Sequence, residues 1–262
     1  MLPLKIFKTI YSARLGKDFS LPLWSQIFSH IGSLCFFFFH LLSFQLFINK
    51  FSFPGWPTQD LWVLLFTFEI FTYMAFFLFW KGFNHTIRDV NTGGFDLIIT
   101  KPVSTILITI FRGGGLHNLT CAFLGILFLF IHVVTNNLSV SPLSVIGFLF
   151  SLGFSLFTFL NLSLCFIALT FHFGKVTGLA YASFQVQEVY KYPSQIYQNS
   201  NLLFAVAFIF LSLFTTFPAS ILLGKYISLL NAGIYIGFSI AIYLLSRIIW
   251  SWSLHHYSSA SS

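Results

Sequence analysis

The chain has 262 residues, of which 57% are hydrophobic, 21% aromatic and only 7% charged, with a formal charge of +7. A mean hydropathy of +0.87 excludes a soluble domain with a polar exterior and points to several helical membrane crossings. The basic residues stand singly at the ends of apolar runs, so lipid headgroups and topology explain the positive balance better than nucleic acid does.

Residues 1–20 place Leu4, Phe7, Ile10, Tyr11 and Leu15 at helical spacing, with Lys5, Lys8, Arg14 and Lys17 between them. That pattern predicts an amphipathic interfacial helix, and its charges interrupt the apolar core a signal peptide needs. A first span is expected at 27–48, long enough for the roughly 20 residues a crossing takes. The link 49–60 holds Pro54, Gly55, Trp56 and Pro57 and reads as an external turn. A second span, 61–80, returns the chain to the cytoplasmic side.

There it delivers a polar island, residues 84–104, which carries Arg88, Asp89, Asp96 and Lys101 between two apolar runs and is expected to lie in water. A third span is expected at 107–134. It opens on Phe111-Arg112-Gly113-Gly114-Gly115, and three glycines at about 1 kcal/mol each relative to alanine predict a bend or break near the membrane surface. A fourth span is expected at 143–171. The next stretch has two readings: residues 174–192 form a polar-faced span with 202–217 as a re-entrant or interfacial hairpin, or 202–223 is itself the fifth span. The final span is expected at 230–250. The whole chain, 1–262, reads as one transmembrane domain.

The acids are few: Asp18, Asp60, Glu69, Asp89, Asp96 and Glu188. No catalytic or metal-binding motif is formed by them, and Gly174-Lys175 lacks the upstream glycine of a phosphate-binding loop. No catalytic residue and no metal site is assigned. Glu69 lies mid-span, where an ionised carboxylate is costly unless paired or wetted. It reads either as part of a substrate or proton path, with Gln185 and Glu188, or as a carboxyl fixing helix packing with help from Thr67 or Thr72. His30, His40 and His132 lack ligand-like spacing and are expected to make interhelical hydrogen bonds. Cys35, Cys121 and Cys165 are scattered in apolar runs and read as packing. The phenylalanines read as lipid-facing and packing surface, with a path for a lipid-like substrate as the sharper alternative.

Several short pieces recur in a telling order. They are Gly55-Trp56; Ile87-Arg88 with Gly93-Gly94-Phe95-Asp96 and Lys101-Pro102-Val103-Ser104; Tyr192-Pro193 with Ile196-Tyr197; Phe217-Pro218-Ala219 with Leu222-Leu223-Gly224; and Trp252 with His256-Tyr257-Ser258. Over nearly the full length this resembles the ABC-2 family of transporter permeases. Gly94 departs from the acidic residue that family favours before its Phe/Leu-Asp pair.

The resemblance implies an all-α, type V ABC exporter-like permease of about six spans, with an N-terminal interfacial helix and a cytoplasmic coupling helix. It implies a second permease subunit, identical or not, and an ABC ATPase that binds the ATP and Mg, with no cofactor in this chain. The coupling residues would be Ile87, Arg88, Asp89, Gly93, Gly94, Phe95, Asp96, Lys101 and Pro102. It also favours 174–192 as the fifth span, with 193–220 external or re-entrant, and both termini cytoplasmic in a bacterial inner membrane. The substrate would be lipid-like, drug-like or a polysaccharide. The rival reading is a proton-coupled secondary transporter using Glu69 and Glu188.

Overall fold

The first span, α1 (Leu23–Ile48), has 26 residues and shows most of its aromatic surface outward: Phe28, Phe36, Phe38 and Phe39 are exposed. In a computed structural model, which describes residues 16, 20–112, 114–173, 185–194, 201–225 and 229–257, this helix is the outer member of an all-helical bundle. The expected interfacial helix at 1–20 lies almost entirely outside those residues.

The second helix, α2 (Thr58–Ala75), is the core of the bundle. Val63, Leu64, Leu65, Phe68 and Phe71 are fully enclosed. It does not stop at Trp80 as expected. A π-helical turn (Phe76–Trp80) carries it directly into α3 (Lys81–Thr92), so that 35 residues, Thr58–Thr92, form one helix. The sequence loses its apolar character after Trp80, but helical hydrogen bonding does not require it to stay apolar. The stop comes at Gly93, whose φ of +76° is the left-handed conformation that ends helices and that glycine adopts without steric cost.

Two short helices come next, α4 (Asp96–Ile99) and α5 (Thr105–Phe111), and then the long α6 (Leu116–Thr135). The expected third span is therefore cut in two at the glycines around Gly114, and only its second part, α6, is long enough to cross a bilayer. Gly125 of α6 lies against α2: a Cβ there would meet Ile70 Cγ1 at 3.0 Å, so the close approach of these helices depends on a missing side chain.

Helix α7 (Pro142–Phe173) matches the fourth span, and α9 (Leu229–His255) the last. They are joined by a buried polar seam: Ser155 to Tyr235 at 2.6 Å, Thr158 to Ser239 at 2.8 Å, and Ser246 to Asn161 at 2.9 Å. Residues 174–184 are outside the described part. Beyond them the chain forms a 3-10 helix, Val186–Lys191, and then α8 (Leu202–Leu222).

The hairpin expected at 202–217 is corrected, since Leu202–Leu222 is one continuous helix, while most of the span expected at 174–192 lies outside the described residues. Among the described residues five helices are long and apolar enough to cross a membrane, and Phe210–Leu222 is a shorter apolar helix. At the turn end of α2, Lys225, just beyond α8, closes on the link that precedes α2. Its Nζ lies 2.8 Å from Asp60 Oδ2, donates to the Gly55 carbonyl at 2.7 Å, and sits 3.9 Å from the centre of the Trp56 ring.

Candidate functional site

Two polar regions stand out from the apolar bundle. The first is the island, whose residues divide into a buried base and an exposed face. Ile87, Asp89 and Phe95 are buried, Gly93, Gly94 and Asp96 are half-buried, and Arg88, Lys101 and Pro102 are exposed. The expectation that the whole island lies in water is thus corrected for Asp89. Its carboxylate forms an ion pair with Arg112, while Arg88 Nε lies 3.8 Å from its other oxygen. A carboxylate taken out of water needs such a partner. Arg112 carried no role in the sequence; its one signal was a lone cation beside the glycine run.

The base is fastened to several elements. Gly82 lets the Thr109 carbonyl approach α3 so closely that a Cβ would lie 2.1 Å from its oxygen, and Thr86 donates to Thr109 Oγ1 at 3.1 Å. Phe95 packs its ring on Phe171 of α7 at 4.9 Å and on Tyr257 at 5.6 Å, and Phe171 packs on Trp250 of α9 at 5.5 Å. Trp250 Nε1 in turn donates to Thr105 at 3.1 Å. On the exposed side, Leu97 is 72% and Ile99 45% accessible beside Lys101.

The second region is a chain of charges inside the bundle. His40 of α1 places Nδ1 3.0 Å from Glu69 Oε1 and Nε2 3.4 Å from Glu188 Oε1, and Lys191 Nζ lies 2.7 Å from Glu188 Oε2. Phe36 and Phe68 flank the imidazole. The neighbours expected to help Glu69 do not: Thr67 donates to Val63 of its own helix, and the Thr72 hydroxyl has no partner among the described residues. The partner is His40, which the sequence marks only as an interhelical hydrogen bonder. Of the other histidines, His132 reaches across to the Gln59 carbonyl at 2.9 Å, whereas His30 bonds Gln26 within its own helix. Gln185 is exposed and does not join Glu69 and Glu188; Gln187 is buried, with no hydrogen bond to its side-chain amide among the described residues.

An imidazole with a carboxylate oxygen at each nitrogen needs a proton in both contacts, one more than a neutral ring carries. Either the ring is doubly protonated or one carboxyl carries the proton, and the three groups titrate as a unit. In either state the cluster with Lys191 is electrically neutral, which is how ionisable groups persist beside an apolar interior. Glu69 Oε2 stays buried without a hydrogen bond among the described residues.

Compared with known proteins, residues 32–261 match the family model described as ABC-2 family transporter protein. No curated protein and no solved structure matches the chain.

Proposed function

Since the chain belongs to the ABC-2 family of transporter proteins, and is thus a multi-pass membrane component of an ABC transporter, we propose that it is a non-catalytic permease half driven by a separate ATPase subunit. That partner would bind the ATP and Mg and carry out the hydrolysis, and a second permease, identical or different, would complete the pathway. Export of a lipid-like, drug-like or polysaccharide substrate is the direction we favour. Both termini then lie on the cytoplasmic side of a bacterial inner membrane.

The observation that carries this reading is the division of the island. Its exposed face, with Arg88, Leu97, Ile99, Lys101 and Pro102, offers the mixture of apolar and charged groups suited to a protein interface. Its buried base is locked to α5 through Gly82, to Arg112 at the end of α5 through Asp89, and to α7 through Phe95. Arg88 and Glu69 are on the same uninterrupted helix, 19 residues or about 28 Å apart at 1.5 Å per residue. Displacement of the island by a closing ATPase dimer would travel along that rod to the level of the charge cluster. The π-helical turn between them is the place where the rod yields most readily. Hydrolysis shifts the permease only if the ATP-bound and ATP-free dimers hold the island differently.

The test is charge reversal at the exposed Arg88, Arg88→Glu, together with Asp96→Asn, followed by co-purification with the ATPase and an assay of substrate-stimulated ATP hydrolysis. Loss of either supports docking through the island; assembly and stimulation at the original level overturn it. The charge cluster favours a second reading in which His40, Glu69 and Glu188 carry a proton against the substrate. Transport by vesicles given a proton gradient and no ATP would establish that reading instead.

A further inference from the structure

We infer that the outer edge of α9 at Arg247 docks a transmembrane helix of a different chain, one that carries an aspartate or glutamate in the middle of its span. Arg247 is half-buried at the boundary between the polar seam and the exposed side of α9, where Leu244 and Ile248 are 53% and 66% accessible. Its guanidinium is held from two sides. The side-chain oxygen of Asn161 of α7, a fully buried residue, accepts from Nη2 at 3.4 Å and also from Ser246 at 2.9 Å, and the Tyr243 ring centre lies 4.8 Å from Cζ. Nε is buried and makes no hydrogen bond among the described residues. A guanidinium has five N–H donors, and here the long, shared contact with Asn161 is its only hydrogen bond among the described residues.

A guanidinium stays protonated in a protein, so within hydrocarbon it calls for an anion. Arg112, Lys191 and Lys225 each have a carboxylate partner in this chain, and Arg247 has none among the described residues. Its depth argues against the phosphate of a resident lipid. Tyr243 and Asn161, which bracket the guanidinium, each stand 12 residues from the nearer end of their helices, about 18 Å at 1.5 Å per residue, whereas half the hydrocarbon thickness is about 15 Å. The side chain reaches back toward Tyr243, away from that end, so it does not snorkel to the headgroups. A second copy of this chain is no better a source. Glu69 and Glu188 hold His40, Asp60 and Asp89 hold Lys225 and Arg112, and Asp18 and Asp96 lie outside the apolar runs. A two-fold contact through this edge would also set Arg247 against its own copy. A transported anion would satisfy the cation only in passing. A carboxylate on another chain's helix, laid along the exposed ridge of Ile240, Leu244 and Ile248, would satisfy it permanently. The second permease of the proposed complex meets that requirement only as a non-identical subunit.

The test uses the purified full chain in phosphatidylcholine vesicles. The probe is a polyleucine transmembrane peptide of about 21 residues with one central aspartate, compared by energy transfer with the same peptide carrying asparagine. The aspartate peptide should associate about fivefold more tightly. That preference should vanish in Arg247→Gln and survive in Arg247→Lys, which keeps the charge and separates loss of pairing from loss of fold. Equal association of the two peptides, or a preference that persists in Arg247→Gln, overturns the inference. So does loss of the preference when phosphatidylglycerol is mixed into the vesicles, since a lipid phosphate would then be the occupant. In host membranes, a photocrosslinking residue in place of the exposed Leu244 should trap a chain with a mid-span carboxylate, and converting that carboxylate to its amide should abolish the trapping. A product that contains only lipid, a second copy of this chain, or a chain without such a carboxylate overturns the inference. ATP hydrolysis and the island play no part in these readouts, so they stand or fall apart from the coupling proposal.

Discussion

The first two spans have the same mean hydropathy, 1.9, yet 78% of an apolar 18-residue stretch of the second is buried inside the protein and 22% of the first. Hydropathy measures how readily a segment leaves water. It is silent on whether the segment then meets lipid or another helix, because lipid tails are as apolar as leucine. What distinguishes the second helix is its content of groups that lipid cannot satisfy. Thr67, Glu69 and Thr72 lie on it, and all three are buried. The first helix meets the bundle on one narrow side, through His40, Phe37 and the Ser33 carbonyl that accepts from Tyr73 at 3.0 Å, and turns its other phenylalanines outward.

The largest test of this contrast is at their one charged junction. His40→Leu leaves Glu69 and Glu188 without the imidazole between them, and removing one partner of a buried pair costs about 3–5 kcal/mol. The unfolding midpoint in a detergent titration should drop accordingly, and adding Glu69→Gln should restore part of the loss. If His40→Leu unfolds like the wild type, the cluster has no role in holding α1 to α2.

Next in size is a pair of phenylalanines. Phe71 touches Phe159, Tyr190 and Phe214 at 5.6–6.0 Å between ring centres. Phe71→Ala should therefore cost about 3 kcal/mol, the low end of the soluble-protein range because the transfer from water is absent in a bilayer. Phe39, 64% exposed, should change the stability of the isolated chain by less than about 0.5 kcal/mol when truncated. Equal effects at the two sites would break the contrast between core and outer helix.

Farther along the same rod, Asp89→Asn removes the charge that faces Arg112. A loss of about 1.5–3 kcal/mol is expected, the range for hydrogen bonds to charged groups, and differential scanning fluorimetry would register it. Arg112→Gln should produce a similar shift, and the double variant little more than either alone.

The smallest pair involves glycines. Gly125→Val forces a side chain against Ile70 and should cost about 1–3 kcal/mol. At Gly233 of α9, where a Cβ meets nothing, alanine should be neutral or stabilise by up to about 1 kcal/mol through helix propensity. Thermal midpoints of the two variants moving in the same direction would contradict the packing described for these helices.

Much of this was legible in the sequence because a bilayer constrains it severely. The ends of α1, α7 and α9 lie within a few residues of the limits of their apolar runs, and the chain breaks at the glycines before α6 as the local cost of glycine predicts. Other features were hidden for definite reasons. The continuation of α2 through Trp80 into α3 crosses from an apolar to a polar stretch, so a scale that tracks apolarity ends the helix where only the solvent changes. Asp89 and Arg112 are 23 residues apart, and His40 and Glu69 are 29 apart; no periodicity links such pairs, which meet only when helices pack. At α8 the order of family motifs points to a hairpin, whereas the helix keeps to the continuous apolar run of its own residues.

The sequence alone determined that this is a helical membrane protein with a polar island between its second and third apolar runs. It also placed Glu69 in the middle of a span, since composition and span length follow from the cost of backbone and charge in hydrocarbon. Only the tertiary structure decided which span is central, that half of the island is a buried base held by Arg112, and that His40 joins Glu69 to Glu188. Those are properties of which faces meet, and in a membrane, where every face is apolar enough to be tolerated, packing and polar pairing make that choice.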